Sequence, residues 1–262
     1  MGQLQFIQPN WPAPNNVRAY TTSRLGGKSK APFDTLNVGQ HVGDDKSIVD
    51  ENRALLPNYQ NIVWLQQIHG NRSIELSSDL VGLATPPIAD ASFSRRVKLT
   101  CAVMSADCLP VLICNKQGSC VAAIHAGWRS LASGIIENTL NQMACDVDQL
   151  MAWLGPAISQ KHFEVGEIVK NSFYQHESAF MPVPESPSGE LKFMADIYQI
   201  AREKLHRKGV EGVFGGEYCT YSQQQKFFSH RRSSHLHLQQ LNNEKQVATV
   251  SSGRMVSCIY FE

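Results

Sequence analysis

Between residues 98 and 126 the chain carries three short apolar runs separated by polar breaks, the pattern of buried strands rather than of a helix. Lys98–Ser105 and Val111–Cys114 read as strands and NKQG (115–118) as a four-residue turn. Ser119–His125 then reads as a strand returning beside the second, as in a hairpin. The period then changes. In GWRSLASGIIENTLNQM, Trp128, Leu131, Ile135 and Ile136 recur at helical spacing and predict one helix directly after His125. A further helix is expected over DIYQIAREKLHRKG, where Ile197, Ile200, Ala201, Lys204 and Leu205 share a face, Asp196 caps the start and Gly209 ends the pattern. Met181–Glu190 (MPVPESPSGE) and Ser233–Gln246 are polar excursions that read as loops. Neither looks like a boundary, and no repeat of fixed period appears, so residues 1–262 are expected to form a single domain.

Composition narrows the function classes. At 262 residues the chain can bury a sizeable core, and 42% hydrophobic content with a formal net charge of +1 excludes disorder and disfavours a polyanionic partner such as nucleic acid. The apolar runs, such as Val111–Cys114, are far too short to span a bilayer. The N-terminus has no basic segment leading into an apolar one, so no membrane association is expected and the protein is placed in the cytoplasm. Seven cysteines form an odd set without CxxC spacing. Five lie in apolar or strand-like surroundings, as buried free thiols of a reducing compartment do.

Cys108 differs from the others. It follows Asp107 and precedes the chain-bending Pro110, and it occupies a corner after an apolar run, as do His69 in QQIHGN and His125 in AAIHAGWR. A thiolate between two imidazoles suits Zn²⁺ or copper, and three protein ligands leave a fourth tetrahedral position free for water or substrate. Any one of these histidines alone, like His162 or His230, reads as a structural hydrogen-bonding residue; convergence of the three corners is what would make a site. Unpaired N–H groups at the start of the helix after His125, with Arg129, would favour an anion such as phosphate nearby. Arg24, Arg129, Arg231 and Arg254 also read as surface charges, although Arg231 and Arg254, beside aromatic or glycine residues, suggest a pocket, and Asp90 and Asp107 read as turn caps.

The segments TTSRLGGKS, LNVGQHVGDD, WLQQIHGN, ADASFS, SADCLPVLI, IHAGWRSLASGIIE, WLGPAISQKHFEVG and FFSHRR with a later SGRM resemble the YfiH/laccase-domain family from about Thr21 to the C-terminus. Members have been called polyphenol oxidases, purine nucleoside phosphorylases and peptidoglycan editing factors. The resemblance implies Zn²⁺ on His69, Cys108 and His125, copper being less expected. It also implies a layered α/β (mixed α+β) sandwich with mixed β-sheets, similar to a cysteine-hydrolase-like fold, as one catalytic domain. Two departures stand out: Ser130 where the family usually has glycine after GWR, and a long link between FFSHRR and SGRM, Ser233–Val250, which could form a lid or partner surface.

The activity implied is phosphorolysis of adenosine, inosine, guanosine and methylthioadenosine, with hydrolytic deamination of adenosine. Deamination needs activated water at purine C6, which an open Zn²⁺ site supplies, and Asp107 is the candidate proton shuttle. The H-x-E with P-C-x-x-C signature of the familiar zinc deaminases is absent. Phosphorolysis needs a phosphate near the anomeric carbon: Arg129 is the phosphate candidate, and Asn37 and Arg231 are candidates for ribose or base contacts. Three other readings compete. An amidase would use Cys108 as nucleophile and His125 as base, fitting an editing enzyme that removes a wrongly added amino acid from a peptidoglycan precursor. A copper-dependent polyphenol oxidase would want several HxH motifs, which this chain lacks. A non-catalytic, metal-stabilised binding protein would close the metal with a fourth ligand such as His41, His230 or another cysteine.

Overall fold

The computed structural model describes residues 4–184, 189–241 and 250–262. Its strands are β1 (Phe6–Ile7), β2 (Val17–Thr22), β3 (Ile62–Val63), β4 (Ser73–Glu75), β5 (Ala91–Ser94), β6 (Thr100–Ser105), β7 (Leu109–Asn115), β8 (Val121–Ala126), β9 (Leu150–Leu154), β10 (Glu164–Gly166), β11 (Phe180–Pro182), β12 (Lys192–Ala195), β13 (Gly212–Gly215) and β14 (Met255–Phe261). Its helices are α1 (Lys46–Ala54), α2 (Trp128–Ala132), α3 (Ile135–Met143), α4 (Glu167–Asn171), α5 (Ile197–Arg207) and α6 (His230–Leu241).

Two mixed sheets stack on one another, and a small antiparallel one, β10-β12-β11, adds Val165, Phe180 and Ala195 to the core on the helix side of the second. The first runs β1-β2-β14-β6-β3, with β3 alone parallel to its neighbour; the second runs β13-β9-β7-β8-β5-β4, with parallel pairs at both edges. The fold is therefore mixed α/β with mixed sheets, and the layers follow from the strand period of two. Along β7, Leu112 and Cys114 face Cys101, Val103 and Ile259 of the other sheet, while Val111 and Ile113 face Ile135, Ile136 and Leu140 of α3 and Ile200 and Leu205 of α5. Both faces of the strand are buried, which is why it reads as an unbroken apolar run instead of an alternation.

The expected hairpin is present as β7 and β8, paired antiparallel from Leu109↔Ala126 to Cys114↔Val121. The helix over residues 197–207 also forms, with the Asp196 side chain accepting the Gln199 N–H at 3.0 Å. Three expectations need correcting. The single helix after His125 is two: α2 ends at Ala132 and α3 starts after Gly134, whose φ of +85° breaks the helical path. The reading of Ser233–Gln246 as a loop fails over its first half, because α6 runs to Leu241; residues 242–249 lie outside the described residues. Ser229 signals that helix by accepting the Arg232 N–H at 3.1 Å, but α6 is too polar to show an apolar stripe. Met181 and Pro182, read as loop, complete β11, and residues 185–188 of the same stretch are not described.

Candidate metal centre and its cavity

Cys108 sits on the three-residue crossing from β6 in one sheet to β7 in the other. Asp107 precedes it at φ +91°, a left-handed conformation costly for a non-glycine residue, on the order of 1–3 kcal/mol. Two bonds hold it there. Asp107 Oδ1 accepts the Thr220 hydroxyl at 2.6 Å and Oδ2 accepts the Arg231 N–H at 2.7 Å, so the carboxylate also ties the first turn of α6 to the crossing.

His125 lies near the end of β8 opposite Pro110, nearly sealed from solvent. His69 is on the loop after β3, again at positive φ (+60°). One fully buried carboxylate fixes both histidines. Asp90 Oδ1 meets His125 Nδ1 at 2.9 Å and accepts the His69 N–H at 2.9 Å, while Oδ2 accepts the N–H groups of Ile68 (3.2 Å) and Gly70 (2.7 Å). Burial pushes the Asp90 carboxyl up, but the bonds from His125 and the loop amides prevail and hold it below the ordinary range. An ionised Asp90 makes Nδ1 of His125 the protonated nitrogen and leaves Nε2 as ligand, the carboxylate–histidine arrangement of metal sites.

The ligand atoms of His69, Cys108 and His125 lie within 4.8 Å of one another, and Cys108 Sγ is 3.7 Å from His69 Nε2. A tetrahedral zinc with ordinary Zn–S and Zn–N bonds separates S from N by roughly 3.5 Å, so the spacing fits. Gly127 closes the cradle from behind: a Cβ there would fall 2.9 Å from Cys108 Sγ and 3.0 Å from His69 Cδ2. Burial disfavours the charged form of both Cys108 and His125. Their mutual attraction, with help from His69 and Asp90, outweighs it, lowering the thiol and raising the imidazole. The pair favours a thiolate beside an imidazolium, so the proton on His125 Nε2 has to leave before that nitrogen can bind a metal.

The cluster opens into a cavity of about 430 Å³, a size suited to a small organic ligand. Trp128, Ile158, Phe163 and Met104 give it apolar wall, and Arg129, Arg231 and Arg254 give it positive charge. Of the expected substrate contacts, Arg129 and Arg231 are at the wall. Asn37 is not: it is fully buried, and its amide is spent on Gly39, Asp44 and the Arg254 N–H, so it positions Arg254 from behind. His41 and His230 line the cavity but stand outside the ligand cluster, which among the described residues is the one such group.

Asp90 and Arg254 carry more of the site than their sequence context suggests. Asp90 had a signal, its ADASFS motif, but its partners are 20 to 35 positions away. Arg254 likewise had a signal, its SGRM motif, but the Asn37 side chain that holds its N–H is 217 positions away.

Comparison with known proteins places the chain in a family. The sequence model of the family described as multi-copper polyphenol oxidoreductase laccase matches residues 18–262. A purine nucleoside phosphorylase YfiH of Escherichia coli is 44% identical over 87% of this chain and 93% of its own. A purine nucleoside phosphorylase of Haemophilus influenzae is 38% identical over 99% and 100%. The crystal structure of a Neisseria meningitidis protein, 40% identical, superposes with a TM-score of 0.85 over 98% of this chain and 99% of that one. The site and fold are those of an enzyme class with a histidine–cysteine–histidine centre able to hold a metal. The chain belongs to the YfiH/laccase-domain family.

Proposed function

We propose that residues 1–262 act as one catalytic domain, a zinc-dependent purine nucleoside phosphorylase that also deaminates adenosine. The observation that carries the reading is a three-ligand centre facing a cavity with apolar wall for a base and guanidinium groups for a phosphate. The similar proteins named purine nucleoside phosphorylase support it. Three protein ligands suit a catalytic zinc rather than a structural one, and a single ion rather than the several coppers of a laccase. Zn²⁺ held by His69, Cys108 and His125 supplies Lewis acidity and an acidified water, the latter being what deamination at purine C6 requires.

The chain's own residues do the rest. Arg129, whose guanidinium lies 4.3 Å over the Trp128 ring, binds inorganic phosphate through the charge on its side chain. The helix start contributes little, since α2 is only five residues long. Trp128, Phe163 and Ile158 receive the purine and exclude water, and Arg231 contacts the ribose side. Asp107 lines the cavity with lone pairs beyond the two already used, and proton transfer to leaving ammonia is assigned to it. The substrates are small molecules, adenosine, inosine, guanosine and methylthioadenosine with phosphate, and the compartment is the cytoplasm. No helix among the described residues is long and apolar enough to cross a membrane.

The test is phosphate-dependent release of hypoxanthine from inosine by protein of known zinc content. Arg129→Glu is expected to raise the phosphate KM about tenfold or more in a folded protein. An unchanged KM removes Arg129 from the phosphate site, and no purine release at any phosphate concentration overturns the phosphorylase reading.

One arrangement favours a second reading. Cys108, His125 and Asp90 also stand as nucleophile, base and orienting carboxylate, the constellation of a thiol amidase. A metal-bound thiolate is a poor nucleophile, so the two uses of Cys108 exclude each other. Amide hydrolysis by fully chelated protein would favour the amidase.

A further inference from the structure

The three ligands stand on three segments of chain, and three separate links set the distances between them. Cys108 and His125 are tied by the hairpin: Leu109, the residue after Cys108, pairs with Ala126, the residue after His125. His69 and His125 are tied by Asp90, whose carboxylate bonds the His69 N–H and the His125 imidazole at once. The remaining side runs from His69 to Cys108, and no strand pairing reaches it. β3 pairs with β6 only at Ile62↔Thr100 and Val63↔Cys101. The chain then turns away towards the approach to β5, where the Gln66 N–H donates to the Pro87 carbonyl at 2.9 Å and the Gln66 carbonyl accepts the Ala89 N–H at 3.3 Å.

What spans the gap is the side chain of Gln67. Its Oε1 accepts the Met104 N–H at 2.7 Å and its Nε2 donates to the Met104 carbonyl at 2.8 Å, so one amide closes on both main-chain groups of a buried residue of β6. Apart from the approach of Cys108 Sγ to His69 Nε2 itself, these are the hydrogen bonds that join residues 64–72 to residues 102–108 among the described residues. Both arms of the clamp are short and held. On one side the N–H groups of Ile68, His69 and Gly70 are bonded to Asp90. On the other the chain passes through Asp107, fixed at φ +91° by its bonds to Thr220 and the Arg231 N–H. A shift at the clamp is therefore passed on to His69 and Cys108. Gripping the N–H and the C=O of one residue takes a donor and an acceptor side by side on one planar group, which at neutral pH only Asn and Gln carry, and Asn is shorter by a methylene. Gln67 also lines the cavity, but its oxygen and an N–H are already engaged by β6.

We infer that Gln67 is a positioning residue of the centre: its amide clamps the His69 loop to the strand that runs into Cys108, and so sets the His69–Cys108 spacing and the affinity for the ion. The inference rests on the reading of the three ligands as a zinc site and deepens it. Gln67 touches neither the ion nor the substrate and acts through the two ligands it holds apart.

Gln67→Met keeps the length of the side chain and removes both bonds. In chelator competition the full chain carrying it is expected to bind zinc about 10–100-fold more weakly than the wild type. With Co²⁺ in place of zinc, the visible bands of a four-coordinate thiolate site should weaken or shift in the variant as His69 leaves its place. Asn115→Ala controls for general destabilisation, since it frees the Ser119 and Cys120 N–H groups at the far end of the hairpin; it should lower stability and leave zinc affinity and cobalt bands unchanged. Should Gln67→Met not fold, Gln67→Glu decides: its carboxylate accepts the Met104 N–H but repels the Met104 carbonyl, and the same direction of change is expected. Wild-type zinc affinity and cobalt bands in the Gln67 variant that folds, or an equal loss in Asn115→Ala, overturn the inference and leave the zinc reading standing. If the wild-type chain takes up no zinc, the zinc reading falls and the inference with it.

Discussion

The ligand corner and the arginine wall share one cavity but are built in opposite ways. In the corner, His69 and Cys108 stand on loops and His125 near the end of β8, and a single buried carboxylate, Asp90, holds the two histidine segments through four hydrogen bonds. Both Asp90 oxygens are engaged there, and Gly127 leaves no room for another atom. The wall is assembled from α2, α6 and the approach to β14; backbone carbonyls orient Arg231 and Arg254, the Trp128 ring lies under Arg129, and none of the three is in an ion pair with a carboxylate among the described residues. A bonded, close-packed corner fixes geometry, whereas guanidinium donors left unspent at the wall remain for a ligand.

The largest effects should fall in the corner. Cys108→Ala or His125→Ala is expected to reduce bound zinc from about one per chain to a trace and purine release at least 100-fold, read by elemental analysis and base release. Retained stoichiometric zinc would dissolve the distinction between corner and wall. Asp90→Asn comes next. It keeps the size of the side chain but removes the charge that fixes the His125 tautomer, and metal affinity should drop about 10–100-fold in a chelator competition. Gly127→Ala forces a methyl against Cys108 Sγ and should cost roughly 1–3 kcal/mol of stability by denaturant unfolding, with weaker zinc binding.

Substitution at the join between the two regions should be milder. Asp107→Asn weakens the tie from the crossing to the first turn of α6. It is expected to cost about 1–2 kcal/mol and to speed amide exchange in α6 more than in β7 or β8. Uniform exchange across those elements would show that α6 is held by its other contacts, such as the 2.9 Å bond between Tyr221 and His235.

The same contrast explains what the sequence made legible. Strands buried on both faces leave continuous apolar runs, so β6, β7 and β8 and the corners between them could be read directly, and with them the three ligands. Asp90 looked like a turn cap, and it is one; that its other side orients His125 depends on β5 lying beside β8, a pairing that no local pattern encodes. The wall was harder still. Asp107 and Arg231 meet across 124 positions, and Asn37 and Arg254 across 217. Asn37 was expected at the ligand because it is a polar residue in a family motif, and the fold spends it on the backbone that presents Arg254. The break between α2 and α3 followed from Gly134, whose left-handed φ outweighs an apolar stripe that continues across it.

The most direct test of the centre is X-ray absorption at the zinc edge of the purified full-length protein. The account predicts one sulfur at about 2.3 Å, two imidazole nitrogens at about 2.0–2.1 Å and one further light atom that changes when phosphate and nucleoside are added. A zinc closed by four protein ligands, or one with no sulfur, would contradict it.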